Sequence, residues 1–572
     1  MLAAVSPALA QEAGDRLAPE IATAAKQPKL ATARQFMVVA AHPLAAEAGR
    51  AILASGGNAI DAMVAVQLVL GLVEPQSSGL GGGAFLVYRD KASGIITTFD
   101  GRETAPAAAT PDLFLDGSGK PLGFFDAVIG GRSVGTPGTP ALLETAHRRF
   151  GRLDWASLFE PAIRLAEEGF EVSPRLNAAI SAAAESLYRY LPTRDYFLSE
   201  EGVPLFAGTR LRNPAYADTL RAIAAEGARA FYQGPIAADI VASVRGADDN
   251  PGLLSTGDLA GYQVKEREPI CFAYRAYEIC GIGPPSSGTL TVGQILGLIE
   301  PYDIAGHGPE SPESWRLVGE ASRLAFADRE AYMADSDFVT MPRGLLNRDY
   351  LKERSKLLAG ARALPAEAVR PGQPPFDRAM AHPPGLTPEL PSTSHFSIVD
   401  ADGNVVSMTT TIENGFGSRL MVRGFLLNNE LTDFSFVPER DGRPVANRVE
   451  PGKRPRSSMA PVIVLKDGEP YLVLGSPGGS RIIGFVAQAL IAVLDWRMPL
   501  DQAMAMPHLV NRFGVFEIEA GTPAEQLAPA LEALGYEIGL AEMSSGLNAI
   551  RLADGVIEGA ADPRREGVAL GQ

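Results

Sequence analysis

A threonine hydroxyl becomes a useful nucleophile only when a base lies beside it, and one stretch of this chain could supply that arrangement. Residues 391–435 read PSTSHFSIVDADGNVVSMTTTIENGFGSRLMVRGFLLNNELTDFS. A Ser392-Thr393-Ser394-His395 cluster opens a run that alternates polar and apolar residues on both sides of Asp402-Gly403, which is a hairpin signal. Phe396, Ile398, Val405 and Val406 are the inward positions. Counting outward from the turn sets Thr411 across from Thr393 or Ser394, so two hydroxyls 18 positions apart become neighbours in space. A threonine opening a strand and faced by a second one suits chemistry in which the nucleophile's own α-amine is the base, with no histidine and aspartate relay. The plainer alternative is a hairpin whose threonines serve strand propensity. Three carboxylates nearby, Glu413, Glu430 and Asp433, weigh against it, as does the polar Asn428-Asn429-Glu430 cluster directly after Phe425-Leu426-Leu427.

These residues resemble the γ-glutamyltransferase (gamma-glutamyltranspeptidase) family, with Thr393-Ser394-His395-Phe396 standing where the family usually writes Thr-Thr-His-Tyr or Thr-Thr-His-Phe. Further blocks resemble the family in family order: Gly57 to Ala62, Gly79 to Phe85, Phe99 to Pro106, Gly135 to Pro140, Asp258 to Tyr262, Pro284 to Gly288, Lys453 to Met459 and Gly475 to Ile483. The resemblance runs from about residue 35 to the end. It implies an α/β (α+β) fold, the four-layer αββα sandwich of the N-terminal nucleophile hydrolases. It also implies self-cleavage between Ser392 and Thr393. The chain would then divide into a signal remnant and arm (1–35), a large subunit (36–392) and a small catalytic subunit (393–572).

Site roles follow from the same resemblance. Thr393 is the nucleophile and Thr411 orients its amine; the amides of Gly478 and Gly479 form the oxyanion hole. Arg102, with the hydroxyls of Ser457 and Ser458, takes the α-carboxylate of a γ-glutamyl group, a task suited to the planar guanidinium fork. Glu413, Glu430 and Asp433 take its α-ammonium. Three acids around one ammonium imply a second cation nearby or a raised pKa. The implied donors are glutathione and other γ-glutamyl compounds, the acceptors water, amino acids or dipeptides, and the assembly a heterodimer of the two cleaved chains; no metal or cofactor is implied. Ser392 and Ser394 depart from the commoner residues beside the nucleophile, which predicts slower or unchanged maturation. The rival readings are a cephalosporin or glutaryl acylase on the same scaffold and an uncleaved binding protein.

Composition sets outer bounds. Hydrophobic content of 46% and charged content of 21% in 572 residues are those of a globular protein with a sizeable core. A formal net charge of −16 argues against nucleic acid as a partner. No run of eighteen uninterrupted apolar residues exists, and the best stretch, Ala59 to Val73, carries Asp61 and Gln67. Ala8-Leu9-Ala10 has the small-x-small pattern that ends a secretory signal, without a basic start, which predicts a periplasmic or secreted protein. The two cysteines, Cys271 and Cys280, become cross-strand partners if CFAYRAYEIC turns at Arg275-Ala276, so a disulfide is geometrically allowed.

The remaining sequence must position these groups. A short strand from Met37 leads to a helix ending before Gly56-Gly57, then a buried helix from near Asn58. The glycine run Gly79 to Gly83 follows a helix and opens a strand, the reverse of a dinucleotide fingerprint, and reads as close backbone packing. From Pro137 to about Leu364 the pattern is mostly helical, a scaffold over one face of the sheets. Residues 365–391 hold eight prolines and read as a solvent-exposed, disordered lead-in to the cleavage bond. Phe434 to Asn447 reads as a mobile loop, a lid in some members of the family. Gly475 to Arg481 joins the strand Tyr471 to Leu474 to a helix from Ile482, which places freed amides at a helix start. Leu527 to Leu534 is a short amphipathic helix, and the last two strands turn at Asp554-Gly555.

Overall fold

The structure is a computed structural model that describes residues 27–375, 381–387, 389–390 and 392–572. Two seven-stranded sheets, antiparallel throughout, stack face to face. One runs in the spatial order Ala31–Ala33, Val556–Ala561, Asn548–Ala553, Glu469–Gly475, Val462–Lys466, Tyr277–Gly281, Ile270–Tyr274. The other runs Val568–Gly571, Met37–Ala40, Ser394–Val399, Val405–Thr411, Gly83–Arg89, Ile96–Gly101, Lys265–Arg267. Helices cover both outer faces, giving the expected αββα order. Ala59–Val73 is buried along its whole length on the outer side of the second sheet, which is why its sequence is apolar all round. Asn58 caps it, accepting from the Ile60 and Asp61 amides, while Asp61 answers to the Asn58 amide.

The hairpin at the centre of the second sheet has the register read from the sequence. Val399 pairs with Val405 and Ser394 with Thr410, so Thr393 lies one step beyond the ladder, level with Thr411. Gly403 at φ +87° makes the turn, and the Asp400 carboxylate accepts from the Asp402 and Asn404 amides. The alternation has a different meaning from the half-solvated one. Phe396, Ile398 and Val406 face the helices, but Val405 packs on the opposite side, in the core that reaches the first sheet. The polar positions are buried too: Ser407 donates to Leu474 O at 3.2 Å, and Asn548 Nδ2 donates to His395 O at 2.6 Å. A layer of hydroxyls and amides therefore lies between the sheets, each with a partner as burial demands.

Several expectations are corrected. The helical region does not cover one face only: helices up to residue 260 lie over the second sheet, whereas Gly288–Ile299 and Pro312–Tyr332 pack with Ile482–Leu494 over the first. The arm reaches the fold earlier than residue 36, since Ala31–Ala33 is an edge strand paired with Val556–Ala561; residues 1–26, with the signal-like stretch, lie outside the described residues. The strand pair turning at Asp554-Gly555 is not the last, because Val568–Gly571 follows and pairs with Met37–Ala40. Phe434 to Asn447 is not a free loop. Phe434 and Phe436 anchor it in a small aromatic core with Phe114, and Glu439–Arg440 pairs with Arg443–Pro444 around an exposed tip. Part of the proline-rich lead-in, residues 376–380, 388 and 391, lies outside the described residues. Glu389, Leu390 and Ser392 are buried rather than exposed. Cys271 and Cys280 are direct cross-strand partners with Cα atoms 4.1 Å apart, and they form a disulfide. Its turn carries Arg275 at φ +53°.

Candidate active site

Every residue expected at the site except Gly478 lines a single cleft at the end of the central hairpin: Arg102, Ser392, Thr393, Thr411, Glu413, Glu430, Asp433, Ser457, Ser458 and Gly479. Gly478 adjoins it. Each arrives on an element whose local sequence explains it. Arg102 follows directly on the strand Ile96–Gly101, and the paired strand Gly83–Arg89 opens with glycines because backbone presses on them. A Cβ on Gly82 would sit 2.0 Å from Thr411 O, and one on Gly83 would sit 2.3 Å from the Glu103 carboxylate. Ser457 is held by the Pro284–Ser287 strap: its amide donates to Pro285 O at 3.0 Å, and its carbonyl accepts from the Ser287 amide at 2.8 Å.

Thr393 is buried, and its Oγ1 lies 3.5 Å from Thr411 Oγ1, at the outer limit of a hydrogen bond. Thr411 Oγ1 is in turn fixed by the Glu413 amide at 2.9 Å. Glu413 reaches that position with φ +74°, a strained backbone for a glutamate. Behind Thr393, Arg565 Nη1 donates to Thr393 O at 3.0 Å, and Ser394 Oγ donates to Glu74 at 2.9 Å. His395 is fully buried. Burial pushes its pKa down to about 3, and its ring bonds to Thr409 and Ser397 with the Gly475 backbone against it.

The charged groups form one buried network. Arg102 donates to both Glu430 and Asp433, and also to the Pro455 and Arg456 carbonyls at 3.3 and 3.0 Å. The second cation implied by three acids is therefore Arg102 itself. Raised pKa values accompany it. Burial, then the negative charges of Asp433 and Glu430, hold Glu413 well above the usual carboxylate range. Burial, opposed by Arg102, does the same to Asp433. A fourth acid was not anticipated. Glu103, fully buried, is pushed well above the usual carboxylate range by burial and by the neighbouring Glu430 charge. Its position directly after Arg102 in FDGRE was the available signal. Glu389, which lines the cleft, and Arg329, which bonds to it, were missed because their partners are distant in sequence.

Gly478 and Gly479 precede the helical turn Gly479–Arg481 with φ +134° and +57°. The first is a region open in practice to glycine only, and the pair stands at a helix start, with Gly479 lining the same cleft as Thr393. Among the described residues the one cluster with metal-like spacing is Cys271, Glu278 and Cys280, and both its sulfurs are in the disulfide.

Two stacked antiparallel sheets between helical layers, with a threonine opening a central strand, define an N-terminal nucleophile hydrolase. The gamma-glutamyltranspeptidase family model matches residues 45–572, and the chain belongs to that family. It is 38% identical over 549 residues to a glutathione hydrolase proenzyme of Bacillus subtilis (strain 168), covering 94% of this chain and 91% of that one. Among solved structures, a cephalosporin acylase from Bacillus halodurans superposes with a TM-score of 0.83 at 28% identity, covering 97% of this chain and 99% of that one. The gamma-glutamyltranspeptidase of Helicobacter pylori superposes with a TM-score of 0.58 at 34% identity, covering 62% of this chain and 99% of that chain.

Proposed function

We propose that the chain is a self-cleaving precursor of a γ-glutamyltransferase and glutathione hydrolase. Thr393 Oγ1 attacks the Ser392 carbonyl carbon, the peptide C–N bond breaks as an ester forms, and water then hydrolyses the ester. This leaves a carboxylate on Ser392 and a free α-amine on Thr393. The unperturbed pKa of such an amine, about 7.7 to 8.0, makes it a usable base near neutral pH. It takes the Thr393 hydroxyl proton as Oγ1 attacks the γ-carbonyl of a donor such as glutathione. The Gly478 and Gly479 amides receive the oxyanion, a contribution of roughly 3 to 4 kcal/mol per donor. The proton passes to the leaving amine, and water or an amino acid or dipeptide amine then takes the γ-glutamyl group from Thr393.

The observation that carries this reading is the buried pairing of Thr393 with Thr411 at the mouth of a cleft lined by Ser457, Ser458, Arg102 and three acids. A zwitterionic head needs both signs of charge there. The acylase reading is favoured by the Bacillus halodurans neighbour. A glutaryl chain carries no ammonium, however, and would bring no positive charge to the acids beyond the one that Arg102 already gives Glu430 and Asp433. A denaturing gel and two substrates decide. The reading expects two bands from the parent and one of 60.4 kDa from Thr393→Ala. It also expects γ-glutamyl-p-nitroanilide to be cleaved at least a hundredfold faster than glutaryl-p-nitroanilide. A single parent band, or the reverse substrate order, overturns it. Export to the periplasm or medium belongs to the same proposal, supported by the Cys271–Cys280 disulfide, since such bonds persist in oxidising compartments.

A further inference from the structure

The turn ahead of the last strand grips Thr393 from the side away from the cleft. Arg565, fully buried, donates from Nη1 to Thr393 O at 3.0 Å and from Nη2 to Ser544 O at 3.4 Å. Three bonds separate the Thr393 oxygen from the Thr393 nitrogen, so the guanidinium lies within about 7 Å of the amine that cleavage would free. The arginine stem is threaded past Gly546, where a Cβ would sit 2.5 Å from Arg565 Cδ and 3.0 Å from Pro477 Cγ. The Asp562 carboxylate pins the turn, accepting from the Gly546 and Arg564 amides at 2.9 and 2.8 Å. Arg565 and Thr393 both belong to residues 393–572, so the cut would not part them.

Burial lowers the Arg565 pKa to about 9, which leaves it charged at neutral pH. A like charge at this range disfavours an ammonium. The other charged groups around Thr393 are drawn to partners of their own. In the cleft, Arg102 pairs with Glu430 and Asp433, Glu389 pairs with Arg329 and Arg456, and burial holds Glu413 above the usual carboxylate range. On the far side, Glu74 accepts from Ser394 and faces Arg175, whose amide donates to Glu566. Within the turn, Arg564 pairs with Glu519 and Asp562.

The geometry points to Arg565 as the positioning residue of the base: it fixes the Thr393 carbonyl and, through its charge, keeps the freed Thr393 amine in the neutral, proton-accepting form at neutral pH. The inference rests on the reading above, in which that amine takes the hydroxyl proton, and names the group that tunes it. Arg565 acts through Thr393 and does not touch the donor.

The test is the pH profile of kcat for matured enzyme on γ-glutamyl-p-nitroanilide, whose acid limb reports the base in the substrate complex. Arg565→Gln is expected to move that limb upward by at least about half a pH unit, so that kcat falls most at pH 6 and least at pH 9. Arg565→Lys keeps the charge and is expected to restore the limb to the parent's position. A loss of packing alone would lower kcat alike at every pH; that outcome, or a limb that stays in place in Arg565→Gln, overturns the proposal. Should Arg565→Gln fail to cleave itself, the parent decides. Competitive acetylation of its Thr393 amine across pH 6 to 10, read by mass spectrometry of the peptide that begins at Thr393, is expected to give a midpoint below the roughly 7.7 to 8.0 of an unperturbed amine. A midpoint within or above that range overturns the proposal. Failure of the underlying reading looks different: the parent then runs as a single band with no amine at Thr393 to acetylate. A cut parent that ignores γ-glutamyl-p-nitroanilide removes the assigned donor and leaves the acetylation measurement to decide on Arg565.

Discussion

At the scale of single residues, the site works by holding groups in protonation states they would not adopt in water. Burial first, and then neighbouring carboxylates, hold Glu413 and Asp433 above the usual carboxylate range, and at Asp433 this outweighs Arg102. A donor's ammonium favours their ionised form, so binding must draw protons off them, and lower pH opposes it. KM for γ-glutamyl-p-nitroanilide is therefore expected to rise as pH falls below neutral; a flat KM between pH 8 and 6 would contradict this. Burial and the Glu430 charge hold Glu103 above the usual carboxylate range. Glu103→Gln, which keeps a polar group of the same shape, is expected to hold kcat/KM within about threefold, whereas Glu103→Leu sets an apolar side chain against the buried Glu430 carboxylate and is expected to lower it at least tenfold. In the proposed reaction Thr411 orients Thr393 through its oxygen, which the strained Glu413 amide holds at 2.9 Å. Thr411→Val is expected to lower kcat about 10- to 100-fold, the scale of a misplaced proton-transfer group, with a smaller change in KM, measured on matured enzyme.

At the scale of elements, most of the hairpin was legible because its period and its Asp402-Gly403 turn narrow the register to two, Thr411 across from Thr393 or from Ser394, of which the structure adopts the first. What the pattern could not reveal is that its polar face is buried against a second sheet. Alternation reports which residues share a face, and only the tertiary neighbour decides what covers it. The cysteine hairpin was equally readable from its spacing, and its pairing carries a stability consequence. A ten-residue loop closed by a disulfide is worth about 2–3 kcal/mol in the chain-entropy account. Cys271→Ser/Cys280→Ser is therefore expected to lower the thermal midpoint by several degrees with activity retained, since the hairpin lies at the sheet edge away from Thr393. Calorimetric unfolding of both proteins checks this. The strap Pro284–Ser287, by contrast, was read only as a matching block. Its task, gripping Ser457, depends on a contact spanning some 170 residues.

At the scale of the whole molecule, the two pieces that cleavage ahead of Thr393 would make share both sheets. Ser394–Val399, on the second piece, lies between Met37–Ala40 of the first and its own hairpin partner, and Val568–Gly571 seals the other side of Met37–Ala40. The cut chains are expected to coelute as one particle in native gel filtration and to separate only in denaturant. Fold class was legible at this scale through the family blocks. The site's charge network was less so, because Glu103, Glu389, Arg329 and Arg565 meet the other site residues through folds of the chain and not through any short motif.

Arg34 and Gln35 both donate their amides to Gln572 O, at 2.9 and 2.7 Å. A few residues would bridge that gap. A circular permutant that joins residue 572 to residue 31 and opens the chain ahead of Thr393 would, once its initiator methionine is removed, be synthesised with the nucleophile already at its terminus, so that folding alone would give a working enzyme.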